Sequence, residues 1–389
     1  MNDYRSEKIP LISNMSTENQ EPSTNMTINK NEEYTEKFTT YGIFIVSSYI
    51  VLFFTRIILI GDANFVDNVI NNFPSTENFI KDEHKTMSHY CLSRGEPCLA
   101  AYRNIQEDFV RKFIVAPKYK MANCIMPKCM STVTSKIFSY LYDTEEYLKF
   151  NWQMNGVSAS HHKNDFSKME NFINKFVYGN KNNLKDWQLS VFIREPLDRF
   201  ISAFIDKCYL EKDILSLGIF YPGSELCYGC NKNMSCYLTK QYTRSALYSR
   251  SLQRVVGYED QHTFPQNWFC NFGDYKNIYT VYKTKSDKEG KIMYKNTIIN
   301  MLKKQNVEED KIEYIEKFIL QNRKNITDPI EIKLKEKRKT IRNYNELPTI
   351  LKNELLSDPY MYKLFISMYY YDYLVFDYPI PFPKFNQTV

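Results

Sequence analysis

Two short stretches constrain this chain more than anything else in it. At 121–126, MANCIM is an apolar run with strand character. It gives way to PKCMST and then to Val133, Ile137, Phe138 and Leu141 at helical spacing. At 188–193, QLSVFI is a second apolar run and leads into REPLDRFISAFIDK. There Pro196 suits a first helical turn, and Leu197, Phe200, Ile201, Phe204 and Ile205 form one apolar stripe. Each stretch is a strand that turns directly into a helix. Strands and helices alternating in this way predict an α/β fold, with a P-loop-like parallel sheet flanked by helices. Further helices are expected over 297–321 and 348–372, the last running into the tyrosine-dense MYYYDYLVFDY, read as packing surface.

The 389 residues are 43% hydrophobic and 25% charged, enough for one large domain with a sizeable core. A net charge of +6 suits an anionic ligand but is too small and too dispersed to imply nucleic acid. Residues 1–40 are polar and aromatic-poor, and are expected to be a disordered tail. The only long apolar run follows, within 41–60, and 19 helical residues would extend roughly 28 Å, close to the thickness of a bilayer core. Lys30 and Lys37 precede the run, whereas the 20 residues after Ile60 carry no Lys or Arg. That asymmetry predicts a signal anchor with its N-terminus in the cytoplasm and the remainder outside the cytosol. A stem is expected over 61–108, the α/β domain over 109–380 and a short tail over 381–389.

All nine cysteines lie beyond the apolar run, as do sequons at Asn233, Asn325 and Asn386. CYGCNKNMSC at 227–236 offers half of a zinc ribbon, with His262 as a further ligand, but no second C-x-x-C completes it. In an oxidising lumen disulfides are the better reading, with one thiol, Cys124 or Cys129, left over.

The two strand–helix joints also carry the polar residues. Lys128 projects from a loop at a helix N-terminus, where free N–H groups and the helix dipole favour negative charge, with Ser131 or Thr132 expected at the cap. Arg194 ends the second strand. Ser202 lies two helical turns on, with Arg199 and Asp206 assigned to the same polar face. An arginine fork plus a hydroxyl suits a phosphate monoester. Ligands of parallel sheets bind at the carboxyl ends of the strands, so the pair asks for one ligand with two separated phosphate groups.

IMPKCMST resembles the 5′-phosphosulfate loop of the Golgi carbohydrate sulfotransferases, whose pattern is P-K-x-x-S-T. FIREPLDRFISAF resembles their 3′-phosphate motif, with its R-x7-S spacing kept from Arg194 to Ser202. The resemblance is to the chondroitin- and heparan-type enzymes, and CYGC and DQHTFPQNWFC are similar to a nematode-expanded branch. It covers residues 110 to 380. It implies the fold of the sulfotransferases that use 3′-phosphoadenosine 5′-phosphosulfate (PAPS), a Golgi address through a single-pass type II anchor, and sulfuryl transfer to a glycan such as chondroitin. Carried over, Lys128 steadies charge on the leaving phosphate. Cys129 and Met130 supply loop amides which, with Ser131 and Thr132, hold the 5′-phosphate. Arg194, Ser202 and Arg199 hold the 3′-phosphate. No metal is implied.

Two alternatives are a P-loop-type kinase, which lacks its glycine signature here, and a sulfotransferase-like protein that binds PAPS or glycan without turnover. Lys128 speaks against the second. The basic KLKEKRK at 333–339 suits a polyanionic glycan or simply a solvated helix face. A proton acceptor is also needed. His84 and His89 fall in the stem. His161 and His162, between the two motifs, are the first candidates, then His262, with Glu145 or Glu146 as carboxylate substitutes.

Overall fold

The computed structural model describes residues 98–103, 105, 113–151, 164–166, 168–211, 226–250, 257–320 and 329–384, all within the unit from Asn64 to Val389. The tail, the apolar run and most of the stem lie outside the described residues, as do His161 and His162. Among the described residues no helix is long and apolar enough to cross a membrane.

Five strands form one sheet: β1 (Phe113–Ala116), β2 (Met121–Cys124), β3 (Asp165–Phe166), β4 (Gln188–Arg194) and β5 (Thr280–Thr284), in the order β3-β1-β2-β4-β5. β2, β4 and β5 are parallel, with Cys124 opposite Val191 and Arg194 opposite Thr284. The expected parallel sheet is therefore a mixed one, because β1 pairs antiparallel with both β2 and β3. The reason is local. A single turn at Pro117–Tyr119, closed by Lys120 in the left-handed region, joins β1 to β2, and so short a link permits only a hairpin.

The parallel strands set the site. β2 and β4 are buried or half-buried along their length, β5 is mostly exposed until Thr284, and all three leave the sheet on the same edge. β2 leads into helix α1 (Ser131–Tyr142), β4 into α2 (Pro196–Phe204) and β5, after a short link, into α5 (Lys288–Lys304). Between α2 and α5 run α3 (Met234–Ser249) and α4 (Tyr258–Thr263), and α6 (Pro329–Thr340), α7 (Leu347–Ser357) and α8 (Pro359–Val375) complete the chain. α1 packs on β1, α5 on β5, α7 on α2 and α8 on α3.

The apolar stripe of α2 is buried along its length, with Phe200 and Phe204 fully enclosed. The helix expected over 348–372 is two, since Asp358 ends α7 and caps α8 by accepting from Met361 N at 2.8 Å, while Pro359 opens the new first turn. The helix expected over 297–321 also breaks, between α5 and the segment that starts at Glu309. The tyrosines of α8 pack as expected: Tyr362, Tyr369, Tyr370 and Tyr373 are buried, and Tyr373 donates to Glu195 Oε1 at 2.7 Å.

The domain's packing starts earlier than residue 109. Leu99 and Ile105 are in the core, Trp268 Nε1 donates to Ala100 O at 2.8 Å, and Tyr102 N donates to Asn267 Oδ1 at 2.6 Å. The cysteines form bridges rather than a zinc ribbon: Cys124–Cys270, Cys208–Cys227 and Cys230–Cys236, with Cys98 also disulfide-bonded. Among the described residues no His, Cys, Asp and Glu cluster could hold a metal ion. The thiol left over is Cys129, buried in the loop.

Cys124–Cys270 closes 146 residues of chain, so it restricts the unfolded state strongly. Replacing both cysteines by serine is expected to lower unfolding free energy by about 2–5 kcal/mol in urea titrations, with a steeper slope because the freed unfolded chain exposes more surface. An unchanged midpoint would show that the bridge contributes nothing.

Candidate active site

The loop between β2 and α1 solves without glycine a problem that glycine usually solves. Lys128 (φ 68°) and Met130 (φ 61°) both adopt the left-handed conformation, at a cost of about 1–2 kcal/mol each. The turn is closed by Cys129 N donating to Met126 O at 3.2 Å. Met130, rather than Ser131 or Thr132, is the N-cap of α1, and no side chain caps the helix. A thioether makes a poor acceptor, so the first-turn amides keep their capacity for an anion. Ser131 is half-exposed and Thr132 exposed beside them. Cys129 turns inward, its Sγ donating to Gln266 Oε1 at 3.4 Å, and burial pushes its pKa up to about 11. It is an inert packing group, and only its backbone can serve a ligand.

The second joint lies at the same edge. Glu195 caps α2 by accepting from Leu197 N and Asp198 N, which leaves Arg194 at the strand end and Ser202 one face along the helix. Both line a cavity of about 410 Å³, together with Asp206, Lys285, Ser286 and Arg338. Arg194 Nη2 donates to Ser286 Oγ at 2.8 Å, while its Nε is buried with no hydrogen-bond partner. An orphaned buried N–H beside a hydroxyl and further cations fits a phosphate group well. A second hollow of about 290 Å³ flanks the loop, lined by Met130, Val133, Ile292 and Tyr294 with Lys288 and Lys291 at its rim.

Between the two joints sits Lys128. Its ammonium is hydrogen-bonded to Asp206, which lies one turn beyond Ser202 where the helix widens into a π turn over Ile205–Glu211. Lys207 Nζ stands 3.5 Å from the same carboxylate oxygen. Burial alone would raise the Asp206 pKa, yet Lys128 and Lys207, with a contribution from His262, hold it well below the usual carboxylate range. His262, half-buried in α4 and the one histidine among the described residues, lies within electrostatic range of Asp206. Glu145 and Glu146 start the helix after α1, at the end of α1 away from the loop.

Arg199, read as a further phosphate ligand, spends two of its donors on the protein and keeps Nη2 buried without a partner. It is fully buried and does not line the cavity. Nε donates to Pro127 O at 3.0 Å and Nη1 to Phe264 O at 2.8 Å, so it ties the loop to the segment after α4. Gln266 completes the support. It accepts from Arg194 N at 3.0 Å and donates to Arg194 O at 2.8 Å, while its own N–H donates to Asp372 at 2.7 Å. Burial raises the pKa of Asp372 against the amides it accepts from.

Sequence reading passed over Gln266, Asp372, Lys285 and Ser286, met Arg338 only as part of the basic run at 333–339, and gave Asp206 a place on a helix face without a role. Asp206 was within reach, since it shares a face with Ser202. Gln266 and Asp372, 106 residues apart, carried no local signal.

Two helix starts on the carboxyl edge of the parallel strands, with a lysine between them, make an arrangement suited to anionic groups. A model of the sulfotransferase family matches residues 111–379, and the chain belongs to that family. That membership replaces the kinase alternative. A Caenorhabditis elegans protein named carbohydrate sulfotransferase chst-1 is 29% identical over 280 residues, 71% of this chain and 78% of its own. An uncharacterized C. elegans protein is 27% identical over 301 residues, 76% of each chain. No solved structure matches.

Because its folded pKa is depressed, ionised Asp206 stabilises the fold fully above the ordinary value near 3.8, and that stabilisation is lost as pH falls through the folded value. The stability difference between wild type and Asp206→Asn is therefore expected to be flat from about pH 8 to about pH 5 and to shrink only below about pH 4. Urea titrations across that range measure it. A difference that fades near neutrality would mean the carboxylate is not held ionised.

Proposed function

We propose that this sulfotransferase moves the sulfuryl group of PAPS to a hydroxyl of a glycan, a glycosaminoglycan such as chondroitin being the favoured class. The observation that carries the reading is the pair of donor sites on one sheet edge, with Lys128 between them. The donor supplies an activated sulfuryl group whose departure leaves charge on a phosphate. Lys128 is the cation suited to meet that charge. The α1 amides, with Ser131 and Thr132, suit the 5′-phosphate. Arg194, through its orphaned Nε, and Ser202 suit the 3′-phosphate. The apolar hollow beside Met130 and Val133 offers room for the base.

His262 is proposed as proton acceptor because it lies within electrostatic range of Asp206, the partner of Lys128, and its neutral imidazole would be the form that takes the proton. His161 and His162 are its competitors. The carbohydrate acceptor is supported by the relative named as a carbohydrate sulfotransferase, and by basic Arg338 at the cavity. The proposed address is the Golgi membrane, as a single-pass type II protein with its catalytic domain in the lumen. The disulfides support an oxidising compartment.

Transfer of radiolabel from PAPS to a panel of desulfated glycosaminoglycans tests the reading. Binding of adenosine 3′,5′-bisphosphate without transfer to any of them would favour the non-catalytic alternative. Lys128→Ala is expected to abolish turnover. Only 15% of its side chain is exposed, and its loss strips Asp206 of a partner. The variant should therefore also lose about 1–3 kcal/mol of stability. Arg194→Ala should raise the donor KM with a smaller effect on kcat. His262→Ala, His161→Ala and His162→Ala, assayed at saturating substrates, identify the base by a loss of about 10²–10⁴-fold in kcat. Full kcat in His262→Ala removes it from the role.

A further inference from the structure

The lysine that the proposed chemistry needs for its donor is already engaged. Its ammonium binds Asp206, a residue that also lines the cavity holding Arg194 and Ser202. The carboxylate stands at the junction of the two donor sites, on the π turn that continues α2. Lys207, almost fully buried, approaches the same oxygen at 3.5 Å.

We propose that Asp206 is a positioning residue that occupies Lys128 until the donor arrives, so that its carboxylate and the anionic donor compete for one ammonium. The inference rests on reading the site as a PAPS site. An ammonium on a largely buried loop needs a counter-charge whether or not a ligand is bound. Asp206 supplies it in the empty protein and the donor supplies it in the loaded one. The exchange is inexpensive on the other side, because the released carboxylate keeps Lys207 beside it. A buried carboxylate abandoned by its only cation would instead oppose binding by several kcal/mol.

A role for Asp206 as the proton acceptor fits less well. Two ammonium groups at one carboxylate oxygen leave it little basicity. The exchange also gives selectivity. A small anion meets Lys128 already satisfied, whereas a ligand that also engages Arg194 and Ser202 gains enough elsewhere to displace the carboxylate. Apparent donor affinity is then the intrinsic affinity reduced by the fraction of molecules in which Lys128 is released.

Calorimetric titration of adenosine 3′,5′-bisphosphate onto the full-length chain tests this, in wild type, Asp206→Asn, Lys128→Ala and the double variant. With Lys128 released in about one molecule in ten, Asp206→Asn should tighten binding about tenfold. In the Lys128→Ala background the same substitution should change Kd by less than about twofold, because its effect passes through the lysine. Asp206→Glu, which keeps the carboxylate, should return Kd most of the way to the wild-type value. Where Asp206→Asn alone fails to fold, Asp206→Asn/Lys207→Met removes the buried ammonium together with its counter-charge, and the same tightening is expected of it. Binding by wild type with no tightening in the folded variants, or tightening that persists without Lys128, overturns the inference alone. No binding of the bisphosphate to wild type overturns the donor reading and this inference with it.

Discussion

A single buried guanidinium holds the working edge of this domain together. Arg199 reaches from α2 to the carbonyl of Pro127 in the loop and to that of Phe264 beyond α4. Three segments far apart in sequence are thereby fixed against one another, and the loop can keep two residues in the left-handed region without relaxing. Gln266 fastens the neighbouring strand end in the same way, gripping both the N–H and the C=O of Arg194. Neither residue needs to meet a ligand. Both set where the ligand-facing groups stand, the kind of support on which preorganised electrostatics depends.

The absence of glycine from the loop follows from that support. A glycine-rich phosphate loop is permissive by itself, whereas this one is held. The disulfide at Cys124 anchors the strand just before it, the thiol of Cys129 packs beneath it, and Arg199 binds its carbonyl. The strain at Lys128 and Met130 is local, and the contacts that offset it are distributed through the core.

Much of this was legible in the sequence, and the limits have physical causes. β2, β4 and the helices after them were readable because strand and helix periodicities are local properties. The apolar stripe of α2 announced its buried face. What failed needed three dimensions. The hairpin that makes the sheet mixed turns on a single short link. The break at Asp358 is a change of direction within a continuous apolar pattern. Arg199 sits at helical spacing from Ser202, yet its long side chain bends to carbonyl groups 65 and 72 residues away. The pairing of Lys128 with Asp206 spans 78 residues and joins two motifs that, read singly, each point only at the ligand.

The contacts made by residues 98–105 bear on how small a working fragment can be. The stretch matched by the family begins at residue 111, and a fragment cut there would look complete by alignment. It would nevertheless leave the indole N–H of Trp268 without Ala100 O, and Asn267 without the amide of Tyr102. Those two residues directly follow Gln266 in the chain. Trimming the domain at its outer margin would therefore loosen the support of Arg194 from behind, and a fragment meant to be minimal must reach back at least to Cys98.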